Sequence, residues 1–262
     1  MADPKSTVRV AAMADIHCGC ASRGAFQWLF TYVAEHADVL LICGDLTANG
    51  LSDEAIVLAR EITSAAQLPI VAVLGNRDYH SNEHPAIKSI LVHAGVFLLD
   101  GESTIVHGVG FAGVKGFSGG FGSGALTAMG EPLVKQFASE AECEAAKLGR
   151  ALASLEASPR IALMHYSPCR ATVEGEPPDI IPFLGSSKLG DALDCVAVAA
   201  VFHGHAHNGT LEGATSNGVP VYNVALPLLR RRLSSTPPFR VIEIEVSRRS
   251  LSAGAPSSPE TD

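Results

Sequence analysis

The residues able to do chemistry in this 262-residue chain stand at five points, each just past a short apolar run. Asp15-Ile16-His17 follows the run 8–12, Gly44-Asp45 follows 39–43, and Gly75-Asn76-Arg77-Asp78 follows 70–74. His165 follows 160–164, and Gly204-His205-Ala206-His207 follows 196–202. Singly, each fragment is weak: Gly-Asp commonly closes a turn, and a lone histidine is more often a satisfied, half-buried residue than a ligand. Gly-His-x-His is more specific, because histidines two positions apart face one point only where the backbone turns sharply. In α/β sheets, ligands collect at the carboxyl ends of strands. If each fragment closes a strand, two carboxylates, one amide and four imidazoles converge on one rim. That mixed oxygen and nitrogen set suits first-row metals such as Mn, Fe or Zn, with no thiolate required.

Such a rim requires strands that end together. The runs 8–12, 39–43 and 70–74 are separated by helical stretches at 23–35 and 52–66. The first stretch carries Phe26, Leu29, Phe30 and Val33 on one face, and the second has Asp53 and Glu54 in its first turn. This is the repeat of a right-handed βαβ unit. The middle of the chain reads differently. Runs at 96–99, 104–106 and 109–114 suggest an antiparallel meander, and 115–124, with five glycines and two phenylalanines, reads as a mobile loop. A long acidic helix is predicted over 132–155, and a surface insertion over 169–189, which holds Pro177, Pro178 and Pro182. Segments 219–223 and 239–246 are expected as strands of a second sheet. The whole reads as a single domain over 1–246, followed by a Ser-, Ala-, Pro- and Glu-rich tail over 247–262 that is expected to be disordered.

Composition narrows the class. Hydrophobic residues make up 47%, which excludes a wholly disordered or fibrous chain. The longest apolar run, 195–202, is far short of a membrane span, and the polar start does not read as a secretory signal. A net charge of −8 argues against extended nucleic acid as a partner. Six cysteines without a Cys-x-x-Cys pair suggest reduced thiols and a cytoplasmic location. Oligomeric state is not legible at this level.

The five ordered motifs, spread from Asp15 to His207, resemble those of the calcineurin-like metallophosphoesterase superfamily. The resemblance implies a four-layer αββα sandwich, with two mixed β-sheets and a dinuclear metal site at the strand carboxyl ends. It implies that Asp15, His17, Asp45 and His207 hold one metal, and that Asp45, Asn76, His165 and His205 hold the other. Asp45 would bridge two divalent or mixed-valence ions. The implied reaction is attack on phosphorus by a hydroxide shared between the metals, in line with the leaving oxygen and without a covalent intermediate. The expected substrate is a small phosphodiester or an activated phosphomonoester. The alternatives are a pyrophosphatase of a nucleotide-linked substrate and a non-catalytic metal-binding scaffold of the same fold.

One motif departs from the family pattern, Gly-Asn-His-Asp/Glu: here Arg77 stands third. A guanidinium binds phosphate oxygens bidentately, but it holds its protons too tightly to pass one to a leaving group near pH 7. Arg77 and Asp78 are therefore the catalytic candidates, with Asp78 expected to orient the guanidinium. The same tetrapeptide is found in UDP-diacylglucosamine pyrophosphatases, but the interval from His165 to His205 shows no long amphipathic helix of the kind that covers acyl chains there. Segments such as 108–124 and 172–187 also resemble a bacterial branch of the superfamily. His80, close behind the Asn76 loop, and Lys115, on the glycine-rich loop, are substrate-binding candidates.

Overall fold

Alternation of apolar side chains along the first strands decides the architecture. In the computed structural model, which describes residues 5–233 and 237–247, β1 (Lys5–Met13), β2 (Val39–Cys43), β3 (Ile70–Val73) and β4 (Val96–Leu98) run parallel. They are crossed by α1 (Gln27–His36), α2 (Ser52–Ala65) and α3 (His84–His93). On one face, Ala11, Met13, Leu40, Ile42 and Ala72 pack with Leu29, Phe30, Leu58 and Ile87 of the helices. On the other, Val10, Leu41, Val71 and Val73 pack with Phe111, Ile161, Leu163 and Phe202 of a second sheet. Apolar on both faces, the central strands β2 and β3 are buried throughout, as parallel strands covered on both sides must be.

The second sheet comprises β5 (Glu102–Val106), β6 (Val109–Val114), β7 (Arg160–Met164) and β8 (Ala200–His203), then β9 (Glu212–Ala214) and β10 (Pro220–Asn223), in the order β5-β6-β7-β8-β10-β9. Its outer face, through Ala112, Val114, Ala162, Met164 and Val201, packs on α4 (Pro132–Ala153) and α5 (Ser187–Asp194). The result is the expected α/β four-layer arrangement with two mixed sheets: β5 and β9 lie antiparallel in a second sheet that is otherwise parallel.

Several expectations are corrected. Segment 96–98 does not join a meander: it lies parallel beside β3, leaving β5 and β6 as a lone hairpin. The last strand, β11 (Arg240–Ser247), belongs to the first sheet, antiparallel to β1, so that Ile244 and Val246 still reach the core between the sheets. Helix α3 was not expected, because only Ile87 and Leu91 of it are buried and the periodic signal is faint. Helix α6 (Leu226–Arg232) takes up the triple-arginine run in its last turn. The segment 169–189 is not a surface insertion. It forms two 3-10 turns and the start of α5, burying Thr172 and packing Val173, Ile181 and Leu184 with Ala206. Nor does the glycine-rich loop hang free. Gly119 donates to the Pro182 carbonyl at 3.0 Å, and Gly120 to that of Gly185 at 2.9 Å. Residues 248–262 of the expected tail lie outside the described residues. No helix among the described residues is long and apolar enough to cross a membrane.

Candidate metal centre

The strands end where the motifs begin. Past β1 and β2 the two loops run side by side, with the Asp15 amide donating to the Gly44 carbonyl and the His17 amide to the Asp45 carbonyl, each at 3.0 Å. To aim their side chains at one point, Asp15, His17, Asp45 and His205 adopt left-handed backbone with φ of 57, 48, 50 and 68°. That conformation costs an ordinary residue about 1–3 kcal/mol, and such strain gathers at functional sites. The motif glycines are required by close approach: a Cβ on Gly44 would lie 2.4 Å from His165 Nδ1, and one on Gly75 would lie 2.2 Å from the Asp45 amide nitrogen.

The structure brings Asp15, His17, Asp45, Asn76, His165, His205 and His207 to one rim. His207 Nε2 lies 2.9 Å from Asp15 Oδ1, and His17 Nε2 lies 4.0 Å from the same oxygen. His165 Nε2 lies 2.9 Å from Asn76 Oδ1 and 3.4 Å from Asp45 Oδ1. The His205 ring centre is 4.7 Å from that of His165, and the His205 amide donates to Asp15 Oδ2 at 3.0 Å. Candidate ligand atoms of Asp15, His17 and His207, and likewise of Asp15, Asp45 and His165, lie within 4.8 Å of one another.

The donor set fits cations. His165 Nδ1 faces the Cys43 carbonyl at 3.0 Å and must donate to it, so a neutral ring turns the lone pair of Nε2 toward the two oxygens. Protonating Nε2 is not the remedy, because burial first, and then the neighbouring His205, hold this imidazole down at about 3. Turning the Asn76 amide would relieve one contact and leave the Asp45 carboxylate. A cation among these atoms satisfies all of them. His17 Nδ1 is also buried, with no hydrogen-bond partner among the described residues. The carboxylates show the same tension. Burial opposes ionisation of Asp15, but hydrogen bonding from His207 and the nearby imidazoles bring it down to about 2. Burial, then the charges of Asp15 and Asp78, push Asp45 up to about 9. A metal-free chain keeps one of the two charged, and cations would allow both.

Further groups fix the rim. Asp78 is fully buried and accepts from the amides of Leu46 (3.2 Å), Thr47 (2.8 Å) and Gly75 (2.8 Å) and from Thr47 Oγ1 (2.6 Å). It bolts the Asp45 loop to the Asn76 loop rather than orienting the guanidinium, which corrects the expected Arg77–Asp78 partnership. Arg77 is exposed at the mouth; its amide donates to Asp45 Oδ1 at 2.8 Å and its Nη1 to the Ala48 carbonyl at 3.3 Å. His80 is exposed at the end of the 3-10 turn that follows Asn76, and its amide donates to the Arg77 carbonyl. The Lys115 carbonyl accepts from the His165 and Tyr166 amides, while its side chain lines a cavity beside Asn76.

Four supporting residues escaped the sequence. Thr172 Oγ1 lies 2.8 Å from His203 Nε2, and Asn223 Nδ2 donates to the Ala206 carbonyl at 2.8 Å. Glu176 holds the Asn208 amide, and Arg231 donates to the His207 carbonyl. Of these, only Arg231 stands in a conspicuous stretch of sequence, the run Arg230-Arg231-Arg232. All six cysteines are free, and burial pushes the Cys18 thiol beside this site up to about 12, an ordinary protonated thiol.

Comparison with known proteins agrees with this geometry. A family model described as calcineurin-like phosphoesterase matches residues 8–209, and the chain belongs to that family. It is a metal-dependent phosphoesterase. No functionally curated protein matches it in sequence. Among solved structures, it is similar to phosphopantetheinyl hydrolase (PptH) from Mycobacterium tuberculosis, at 15% identity and a TM-score of 0.62, covering 89% of this chain and 95% of that one. TT1561 of Thermus thermophilus is similar at 20% identity and a TM-score of 0.55, covering 86% and 92%. A putative 5'-nucleotidase from Staphylococcus aureus is similar at 14% and 0.52, covering 83% of this chain and 48% of that one. At these identities the likeness speaks for the fold.

Proposed function

We propose that the chain is a dinuclear phosphoester hydrolase acting on a small phosphodiester or an activated phosphomonoester. The observation that carries this reading is the position of Asp45. Its Oδ2 faces His17 Nδ1 at 3.9 Å and its Oδ1 faces His165 Nε2 at 3.4 Å, so one carboxylate stands between two imidazole groups. In this reading Asp15, His17, Asp45 and His207 hold one ion, and Asp45, Asn76, His165 and His205 hold the other. Mn, Fe or Zn bound there supplies a water nucleophile at neutral pH and Lewis-acid neutralisation of phosphoryl oxygens.

The chain's own residues do the rest. The Arg77 amide fixes the Asp45 carboxylate, and the Arg77 guanidinium at the mouth offers paired donors to the non-bridging oxygens of an entering ester. A guanidinium does not protonate a leaving oxygen, so the site favours esters whose leaving group departs without that help. The net charge of −8 does not repel such a substrate, because the acidic groups nearest to it are those that take the cations.

The test is metal analysis of the purified protein together with assays on bis-p-nitrophenyl phosphate and p-nitrophenyl phosphate. Bound metal and Mn-stimulated turnover, with the diester preferred, are expected. Absence of both metal and turnover would overturn the reading.

A further inference from the structure

Beside the rim, a cavity of about 290 Å3 opens between the turn after β3, the loop after β6, and α4. It is lined by Asn76, Tyr79, Lys115, Phe117, Glu140 and Tyr166, so one residue of the rim also forms its inner wall. Resting on the proposed function, we propose that this cavity selects the substrate by taking a planar aromatic or heteroaromatic ring carried on one ester group.

Its walls are rings held in place. Phe117 packs on Phe137 and Tyr166 with centroids 4.8 and 6.0 Å apart, and Tyr79 stacks on His84 at 4.2 Å. The Lys115 ammonium sits 4.9, 5.3 and 5.6 Å from the centroids of Phe117, Tyr166 and Tyr79, and donates to the Gly116 carbonyl at 2.6 Å. A ring entering this space gains stacking from the aromatic walls and a cation near its face, whereas an alkyl group gains burial alone. The volume lies at the small end for ligand pockets and suits a ring system rather than a long acyl chain. Glu140, exposed on α4, offers an acceptor to an N–H on that ring. The register to the reacting phosphorus is set by the backbone: the Lys115 carbonyl accepts from the amides of both His165 and Tyr166, so pocket wall and rim are tied together at the neighbouring ends of β6 and β7.

The test compares phenylphosphonate with methylphosphonate, which share a head group and differ by the ring. Against the Mn-loaded protein, phenylphosphonate is expected to inhibit bis-p-nitrophenyl phosphate hydrolysis with a Ki about tenfold lower. Phe117→Leu loses the ring while keeping an apolar side chain, and should bring the ratio within about twofold while leaving the methylphosphonate Ki unchanged. Calorimetric titration of the wild-type protein with the two phosphonates reads the same preference without turnover and without a variant. Equal affinities in the wild type, or a ratio that Phe117→Leu does not move, would overturn the pocket. Loss of all Mn-dependent turnover alongside a retained ring preference would instead count against the proposed hydrolase.

Discussion

The two sheets meet at the rim, yet they build their halves of it by different means. The first sheet supplies Asp15, His17, Asp45 and Asn76 from three successive parallel strand ends, and the second supplies His165, His205 and His207 from β7 and β8. The first half is locked by a buried carboxylate, Asp78; in the second, the innermost supports are the neutral Thr172 and Asn223, with the charged Glu176 and Arg231 holding the chain at Asn208 and His207. Burial raises the pKa of Asp78 against the pull of its hydrogen-bond donors, and its charge is one of those that push Asp45 up. The second half offers imidazoles that burial keeps neutral, His165 and His205 among them. One half is thus loaded with negative charge that wants cations, and the other holds lone pairs ready for them.

The comparison breaks first at Asp45, where the halves touch. Asp45→Asn should reduce turnover of bis-p-nitrophenyl phosphate by about 10³-fold or more, measured as initial rates at saturating Mn. The two kinds of lock come next. Asp78→Asn puts an amide NH2 where backbone donors now point, and should cost about 10–100-fold in metal affinity or activity. Asn223→Ala leaves the Ala206 carbonyl short of a donor and should lower stability by about 1–3 kcal/mol, with less than about tenfold change in kcat. Equal ratios of activity loss to stability loss in the two variants would erase the distinction.

Arg77→His tests the mouth of the first half. An imidazole can give a proton to the leaving group, so the ratio of monoester to diester turnover should rise by about tenfold. An unchanged ratio would remove Arg77 from substrate choice.

A smaller effect follows from the charge held in the first half. Asp45 titrates near its ordinary 3.8 when unfolded and at about 9 in the folded, metal-free chain. Between those values the folded chain keeps a proton that the unfolded chain has lost, so stability falls as pH rises. His207, raised by its hydrogen bond to Asp15, acts in the same sense just above its ordinary 6.5. Below that pH, the buried His165 (about 3) and His203 (about 4) act oppositely, because only the unfolded chain takes up their protons. In EDTA the Tm should therefore fall from about pH 7 to about pH 8.5, and bound Mn should flatten or reverse the trend, since the ion replaces the proton. Melting curves at the two pH values, with and without metal, check it. The smallest expected effect is at His80, exposed and outside the hydrogen-bonded core of the rim: His80→Ala should change kcat/KM by less than about twofold.

The rim was far more legible in the sequence than its supports. Each ligand candidate stands just past a continuous apolar strand, and a left-handed turn beside a glycine leaves a readable signature, as Gly44-Asp45 does. Thr172 and Asn223 carry no such mark, since a hydroxyl and an amide serve any loop, and they act on residues 31 and 17 positions distant. The sheet assignment of β11 was hidden for a related reason: strand pairing is decided by which edge stays open, and β1 is open to a partner from the end of the chain. Helix α3 buries only two side chains, too few for a period, while the prolines of 177–182 suggested an exposed insertion where they instead shape turns packed against Ala206.

The central claim, two cations shared across the halves by Asp45, is tested most directly by metal content. Wild-type protein reconstituted with Mn and freed of excess should carry two equivalents per chain by elemental analysis, and Asp45→Asn should carry fewer and lose turnover in parallel. Equal metal content in the two proteins, or full wild-type turnover with one equivalent or none, would contradict it.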